Sequence, residues 1–505
     1  MKKILSLIFS RMVITFLLIA VQVSLIFLLI FKFMHYSTII YTIFYLFNII
    51  LFFAVINKYQ EPTLKLPWII IIISLPLIGG IIYLMFGNYF YSSKYRTKAK
   101  DVRQKFKPFL DEDNILIDEI KEPHIKTQAK YLDKVNQFNV YSNTTSKYLP
   151  LGETFLESLL KDLNNAKKFI FMEYFIVQEG VMFDQILEVL KRKATEGLDV
   201  RFMYDDIGTI QLLPSNYPKT LESYGIKTVL FNPLTPAVSL FHNNRDHRKI
   251  TVIDGNIAYT GGLNLADEYI NAITVHGHWK DVAVRLEGDA CFGFTLMFLE
   301  MYHFYRPNDE DINQFKPTVN KKGKGYYIPY GDSPHDNFDI GENVYINMIN
   351  NATEYVYIET PYLIIDYTFM DALRNAAFRG VDVRIITPHI ADKWYVHLIT
   401  RAHYNPLIEA GVKIYEYTPG YIHAKTFIAD DLVGVVGTIN LDYRSLIHHY
   451  ECGVWMYKTQ AIKEMKEDYF KTLEVSQLEK LNDSEQISIF KKITRSIIRL
   501  FAPLL

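Results

Sequence analysis

Only two cysteines, Cys291 and Cys452, occur in 505 residues, which excludes a disulfide framework and a zinc site built on cysteine. No glycine-rich nucleotide loop is present, so no cofactor is implied. The histidine pairs His276 with His278 and His448 with His449 lack the carboxylate or cysteine spacing of a metal site, and read as loop or surface residues with no metal. Net charge is only −1, so the average excludes no class of partner and the distribution of charge has to be read instead.

What the sequence does contain is one pattern written twice. His247-Arg248-Lys249 is followed by Asp254, then by Gly261-Gly262-Leu263-Asn264; His423-Ala424-Lys425 is followed by Asp430, then by Gly437-Thr438-Ile439-Asn440. Every fixed position of H-x-K-x4-D-x6-G-[GT]-x-N is in register. Two separate surface histidines would account for one copy easily, and for two copies in register poorly.

In a β-strand, residues i and i+2 share a face, so His247 and Lys249 project together, as do His423 and Lys425. A neutral imidazole attacks phosphorus and a protonated one donates to a leaving alkoxide, so one phosphoryl-transfer site needs both copies. The lysines bring positive charge to the non-bridging phosphate oxygens, and Asn264 and Asn440 supply neutral donors to the substrate phosphate. The candidate catalytic set is thus His247, Lys249 and Asp254 with His423, Lys425 and Asp430. Within it, the aspartates lie far from their histidines along an extended strand, which favours holding loops over touching substrate.

The chain resembles the phospholipase D superfamily and, within it, the bacterial cardiolipin synthases. The resemblance rests on Asn244 to Lys249, Gly261 to Tyr269, Trp279-Lys280-Asp281, Tyr421 to Lys425, and Gly437 to Ser445 with Glu451, and it runs from about Trp68 to the C-terminus. One departure is visible: the wider superfamily often has serine where Gly262 stands, which leaves backbone amides and Asn264 as phosphate donors in the first half. The resemblance implies that a later carboxylate orients each histidine, Asp281 for His247 and Glu451 for His423. A carboxylate on the distal ring N–H fixes the tautomer and favours the cation.

The duplication extends beyond the motifs. Phe169 to Tyr174 parallels Tyr355 to Thr360, each an apolar run reaching a glutamate, Glu173 or Glu359; Gly197 to Arg201 parallels Gly380 to Arg384. The two glutamates read equally as catalytic groups or as structural acceptors. Strand-like runs alternating with helical stretches indicate an α/β fold with helices on the sheet faces. The expectation is two phospholipase D-like repeats around one shared cleft, preceded by N-terminal transmembrane helices. The expected divisions are a membrane region over 1–92, a first repeat with a basic juxtamembrane segment over 93–315, a second repeat over 316–480, and an amphipathic tail over 481–505.

Three apolar runs, Met12–Phe31, Ile39–Ile56 and Trp68–Phe86, approach the length of about 20 residues that spans a bilayer. No small-residue cleavage site follows the first, which argues against a signal peptide. Lys94, Arg96, Lys98, Lys100, Arg103, Lys105 and Lys107 crowd behind the third run, so the positive-inside rule puts the catalytic part in the cytoplasm. Three crossings would place the N-terminus outside despite Lys2, Lys3 and Arg11, so two or three runs cross. In the tail, Ile487, Phe490, Ile493, Ile497, Leu500, Phe501 and Leu504 fall at helical spacing, with Lys491, Lys492, Arg495 and Arg499 mostly elsewhere, as in an interfacial helix or one docked on the enzyme.

The resemblance implies a multi-pass enzyme of the bacterial cell membrane that joins two phosphatidylglycerol molecules into cardiolipin and glycerol through a phosphatidyl-histidine intermediate, with His247 attacking and His423 protonating glycerol. Anionic membrane lipids are the expected partners and nucleic acid is not. A phospholipase D delivering the same intermediate to water carries the same motifs, as does a nuclease, which the apolar runs disfavour. A non-catalytic membrane scaffold is disfavoured by intact His, Lys and Asn in both copies.

Overall fold

The computed structural model describes positions 13, 17, 20–25, 27, 28 and 32, and residues 38–75, 78–87, 93–109, 115–136, 139–234, 244–334, 338–481 and 488–504. Half of the first apolar run, Met12–Phe31, therefore lies outside the described residues, as does Ile487 in the tail. The chain forms two compact units: residues 1–96, 232–244 and 492–505 in one, residues 97–231 and 245–491 in the other.

The larger unit holds two sheets with the same plan. The first has seven strands: β1 (Thr144–Leu149), β2 (Phe169–Tyr174), β3 (Asp199–Asp205), β4 (Lys227–Phe231), β5 (Ile250–Ile253), β6 (Ile257–Gly261) and, after the short β7 (His278–Lys280), β8 (Ala283–Gly288). Their order is β1-β8-β6-β5-β2-β3-β4. The second contains β9 (Tyr326–Asp332), β10 (Tyr355–Glu359), β11 (Asp382–Pro388), β12 (Lys413–Tyr417) and, after the short β13 (Gly420–Ile422), β14 (Thr426–Ala429), β15 (Val433–Gly437), β16 (Glu451–Tyr457) and β17 (Ser476–Leu478). Read from β9, its order is β9-β16-β15-β14-β10-β11-β12, strand for strand the plan of the first, with β17 added at the edge.

In each half the parallel trio, β2-β3-β4 or β10-β11-β12, comes from strands joined through helices, the connection that parallel pairing requires. The trio opens on fully apolar, fully buried runs such as Phe169 to Met172, as expected of a sheet covered on both faces. The crossover helix Val181–Thr195 buries Met182, Phe183, Ile186, Leu187 and Leu190 at helical spacing, each worth about 1.5–3 kcal/mol when removed from water. The helix Cys291–Tyr305 is buried nearly all round and touches strands of both sheets. Sheet and helices give the mixed α/β fold expected.

The halves are also joined by backbone. β7 of the first half pairs in parallel with β13 of the second, Trp279 opposite Tyr421, and Asp246 bridges Tyr450 in the same sense. Each join sets the strand that leads into a histidine beside the strand that leads into a carboxylate of the other half.

In the smaller unit, helices Thr38–Ile56, Pro62–Ser74 and Gly79–Phe86 enclose Val55, Trp68, Ile72 and Tyr83, with the Trp68 and Tyr83 rings edge to face at 5.6 Å. The third apolar run is not one helix. It breaks between Ser74 and Gly79, where the sequence has Pro76, which cannot donate a helical hydrogen bond, ahead of the Gly79-Gly80 pair. Among the described residues no helix is long and apolar enough to cross a membrane. Thr38–Ile56, with 19 residues, measures about 28 Å at 1.5 Å per residue. The tail forms the helix Ile489–Phe501 with Phe490, Ile493 and Ile497 exposed.

Candidate active site

His247 and Lys249 stand just before β5, and His423 and Lys425 just before β14, at the same end of the two equivalent strands. All four side chains are buried. The backbone that carries them is tied across the halves: His247 N–H donates to Tyr450 O at 2.9 Å, and His423 N–H to Lys280 O at 2.7 Å.

The carboxylate partners are exchanged relative to the sequence expectation. His247 Nδ1 lies 2.9 and 3.0 Å from the two carboxylate oxygens of Glu451, and His423 Nδ1 lies 2.6 Å from Asp281 Oδ2. Asp281 thus serves His423 and Glu451 serves His247. The reason is the pair of cross-half joins: β7 runs into Asp281 beside β13 running into His423, and Tyr450, next to Glu451, bridges Asp246, next to His247. The Glu451 carboxylate also accepts from Thr438 Oγ1.

Lys249 Nζ donates to the carbonyl of His247 at 2.6 Å. Lys425 Nζ reaches the carbonyl of His423 and lies 2.8 Å from its Nδ1. Burial dominates the electrostatics. It pushes the Lys249 ammonium down to about 8 and the Lys425 ammonium down to about 7, against the pull of the nearby carboxylates. Burial, with Lys425 adjacent, brings His423 down to about 4 although Asp281 opposes this. His247 is also held well below the usual imidazole range by burial and by Lys249, and burial drives Glu451 upward. Both imidazoles are therefore neutral near pH 7, the form in which one of them attacks phosphorus.

Asp254 and Asp430, grouped by the motif with the catalytic residues, sit at the opposite ends of β5 and β14 from the histidines. Asp254 accepts backbone hydrogen bonds from Lys167, Lys168 and Phe169 at 2.7–3.0 Å. Asp430 does the same for Thr353, Glu354 and Tyr355 at 2.7–2.9 Å. Both adopt φ of 55°, a left-handed conformation that Asp tolerates better than most residues. Their geometry corrects the catalytic grouping: they clamp the entry to the neighbouring strand.

Asn264 is largely committed within the fold, its Oδ1 accepting from Ile176 N at 2.9 Å and its Nδ2 donating to Tyr269 Oη at 2.7 Å. Asn440 is buried with Oδ1 unpartnered. Gly262 is a glycine because a Cβ there would meet Asp281 Oδ1 at 2.1 Å and His423 O at 2.8 Å. The equivalent Thr438 has the room to use its hydroxyl on Glu451. Of the two strand-end glutamates, Glu173 forms an ion pair with Arg248 at 2.7 Å and Glu359 accepts from Thr426 at 2.9 Å.

Sequence reading missed His449. Far from being a surface residue, it is buried with its ring 5.6 Å from that of His247, and neither ring nitrogen has a hydrogen-bond partner. Aligning Asp281 with Glu451 makes it the counterpart of Trp279, whose ring stands 5.7 Å from His423. Among the described residues, His247, His449 and Glu451 also form a group whose ligand-type atoms all lie within 4.8 Å of one another. The cationic fields of Lys249 and Arg245 act on that group, an environment that favours an anion over a metal ion.

The family model described as cardiolipin synthase, PLD-like domain, matches residues 159–274 and 345–473, one segment on each half. The model for the phospholipase D-nuclease N-terminal region matches residues 46–88. A cardiolipin synthase of Alkalihalophilus pseudofirmus is 32% identical over 465 residues, covering 91% of each chain. The chain belongs to the cardiolipin synthase family. A family-like match of greater identity, 43% over 89% of this chain and 98% of the other, is to an uncharacterized protein of Streptococcus mutans serotype c. The crystal structure of phosphatidylserine synthase from Haemophilus influenzae shares the fold, with a TM-score of 0.58 at 16% identity, over 76% of this chain and all of that one.

Proposed function

We propose that the chain is a cardiolipin synthase, a phosphatidyltransferase that converts two phosphatidylglycerol molecules into cardiolipin and glycerol. The observation that carries this reading is the paired His-Lys centre with crossed carboxylates in a chain that matches cardiolipin synthases over nine-tenths of its length. His247 Nε2 attacks the phosphorus of the first lipid, the bond to the glycerol headgroup breaks, and His423 supplies the proton that glycerol carries away. The phosphatidyl group is then held on His247. His423, deprotonated, takes a proton from a headgroup hydroxyl of the second lipid, whose oxygen displaces His247 and yields cardiolipin.

The diester brings the anion that the buried cations want. Seated between Lys249 and Lys425, its negative charge works against the burial and the lysine field that keep His423 neutral, so His423 becomes protonated as substrate binds. The carboxylates of Glu451 and Asp281 hold the tautomers of the two imidazoles, and one phosphodiester replaces another, so no energy-rich co-substrate enters.

The amino-terminal apolar runs attach the enzyme to the bacterial membrane, supported by the match over 46–88, with the basic stretch from Lys94 to Lys107 facing anionic headgroups on the cytoplasmic side. Residues 93–315 and 316–480 act as the two repeats and 481–505 as an interfacial tail. Incubating purified, detergent-solubilised protein with labelled phosphatidylglycerol tests the activity beside the His247→Ala, His423→Ala double variant. Cardiolipin plus glycerol, absent from the variant, supports the transferase; phosphatidic acid alone turns the assignment to a phospholipid hydrolase, and no product from folded protein turns it to a scaffold.

A further inference from the structure

The two halves of the centre are related residue by residue, with one difference that matters chemically: where Trp279 stands beside His423, His449 stands beside His247. Indole offers one donor and a broad apolar face. Imidazole offers a donor and an acceptor; Trp279 Nε1 is buried without a partner, and in His449 both ring nitrogens are. A buried polar group left unpaired is costly, so this position has the form of a group awaiting a ligand.

The ligand's charge follows from the surroundings. Arg444, His448, Arg245 and Lys249 all act electrostatically on His449, and among the described residues the one carboxylate within 4 Å, Glu451 at 3.9 Å, is already engaged by His247 and Thr438. Burial and these cations keep the ring neutral, so it presents one N–H donor. Other neutral side-chain donors are few: Asn440 remains, while Asn264 is tied to Ile176 and Tyr269, Gly262 has no side chain, and the Thr438 hydroxyl is spent on Glu451.

We infer that His449 is a substrate-contacting residue, donating a hydrogen bond to a non-bridging oxygen of the phosphodiester and seating phosphorus closer to His247 than to His423. The inference rests on the phosphatidyl-transfer reading and deepens it, because it gives a reason why two nearly equivalent histidines take different roles. Trp279 also presents one unpaired N–H, but from an indole that sets a broad apolar face beside His423, where the imidazole of His449 carries polar nitrogens at both ring positions, so the twofold relation of the site is broken in the polarity offered to the substrate.

The test uses the full-length, detergent-solubilised protein, with phosphatidylglycerol as substrate and tungstate as an inorganic phosphate mimic. His449→Leu is expected to raise KM for the lipid and the inhibition constant for tungstate at least tenfold each, while His449→Asn, which keeps an N–H donor, recovers most of both. A purely structural role would lower the active fraction and leave KM and the inhibition constant in place, which overturns the inference. So does a loss confined to tungstate with lipid KM unchanged, which marks an adventitious anion site. A stoichiometric transition metal in the wild-type protein, absent from His449→Asn, also overturns it. Wild-type protein that makes no cardiolipin at all speaks against the functional reading itself and is distinguishable from each of these. A second arm traps the intermediate by rapid quench with both His247 and His423 intact: peptide mass spectrometry is expected to find the phosphatidyl group on His247, and its appearance on His423 upon adding His449→Leu supports the seating role, whereas label that stays wholly on His247 overturns it.

Discussion

The Nδ1 of His247 faces the carboxylate of Glu451, a residue 204 positions away in the other half of the chain. With the reciprocal pair His423 and Asp281, 142 positions apart, it means that neither repeat carries a complete histidine dyad.

Glu451→Gln should therefore reproduce the kinetic defect of His247 variants, and Asp281→Asn that of His423 variants. Because each pair acts as a unit, His247→Ala combined with Glu451→Gln should be scarcely worse than His247→Ala alone. Steady-state rates and intermediate trapping check this. Coupling of Asp281 with His247 instead would point back to pairing within each half.

The lowered lysines set a pH limit. As pH rises through about 7 Lys425 loses its proton, and through about 8 Lys249 follows, so kcat/KM should fall across that interval. Lys425→Arg keeps its charge to higher pH and should move the falling limb to alkaline values, even at reduced activity. A pH profile of both proteins decides it.

The same burial has a stability consequence. The unfolded chain binds a proton at Lys425 up to its ordinary value near 10.5, and the folded chain only up to about 7. Between these limits the unfolded state holds more protons, so stability rises with pH. Lys425→Met removes a charge that folding must bury; it should abolish catalysis yet stabilise the protein by on the order of 1–3 kcal/mol below pH 7. That gain should shrink as pH climbs toward 10, as thermal unfolding at pH 6.5 and 9.5 would reveal.

Asp254 and Asp430 belong to the scaffold. Asp254→Ala leaves three backbone amides without their acceptor and places alanine at positive φ, for a loss of about 2–3 kcal/mol. Asp254→Asn, which retains an oxygen and tolerates that backbone, should lose less. Lipid turnover per folded molecule should hardly change in either, in contrast to a substitution at Lys249.

Gly262→Ser should fail although the wider superfamily often has serine there. Its Cβ would fall on Asp281 Oδ1 and on the His423 carbonyl, displacing the group that orients His423. An activity loss of at least a hundredfold with retained folding by circular dichroism is the expected result.

Much of this was legible in sequence because it is local. The i, i+2 spacing of His and Lys on a strand, the repeated H-x-K-x4-D pattern and the apolar runs of β2 and β10 each follow from the chain's own periodicity. The carboxylate exchange was not legible, since the H-x-K pattern carries no record of which half's β7 or β13 lies alongside, and the pairing of Trp279 with Tyr421 is a tertiary fact. His449 was hidden for a similar reason. As half of a His-His dipeptide it resembles a surface loop, and only alignment of the repeats on Asp281 and Glu451 sets it against Trp279. The break of the third apolar run into the helices Pro62–Ser74 and Gly79–Phe86 was not legible because hydropathy alone does not register where a helix is interrupted.

The short ribbon of β7 on β13 makes one polypeptide do what a symmetric pair of identical subunits would otherwise do. In such a pair any codon change at the flanking position would appear on both sides at once, so tryptophan and histidine could never face each other there. Joining the two copies in a single gene frees each side to drift separately, and a donor side and an acceptor side become heritable traits.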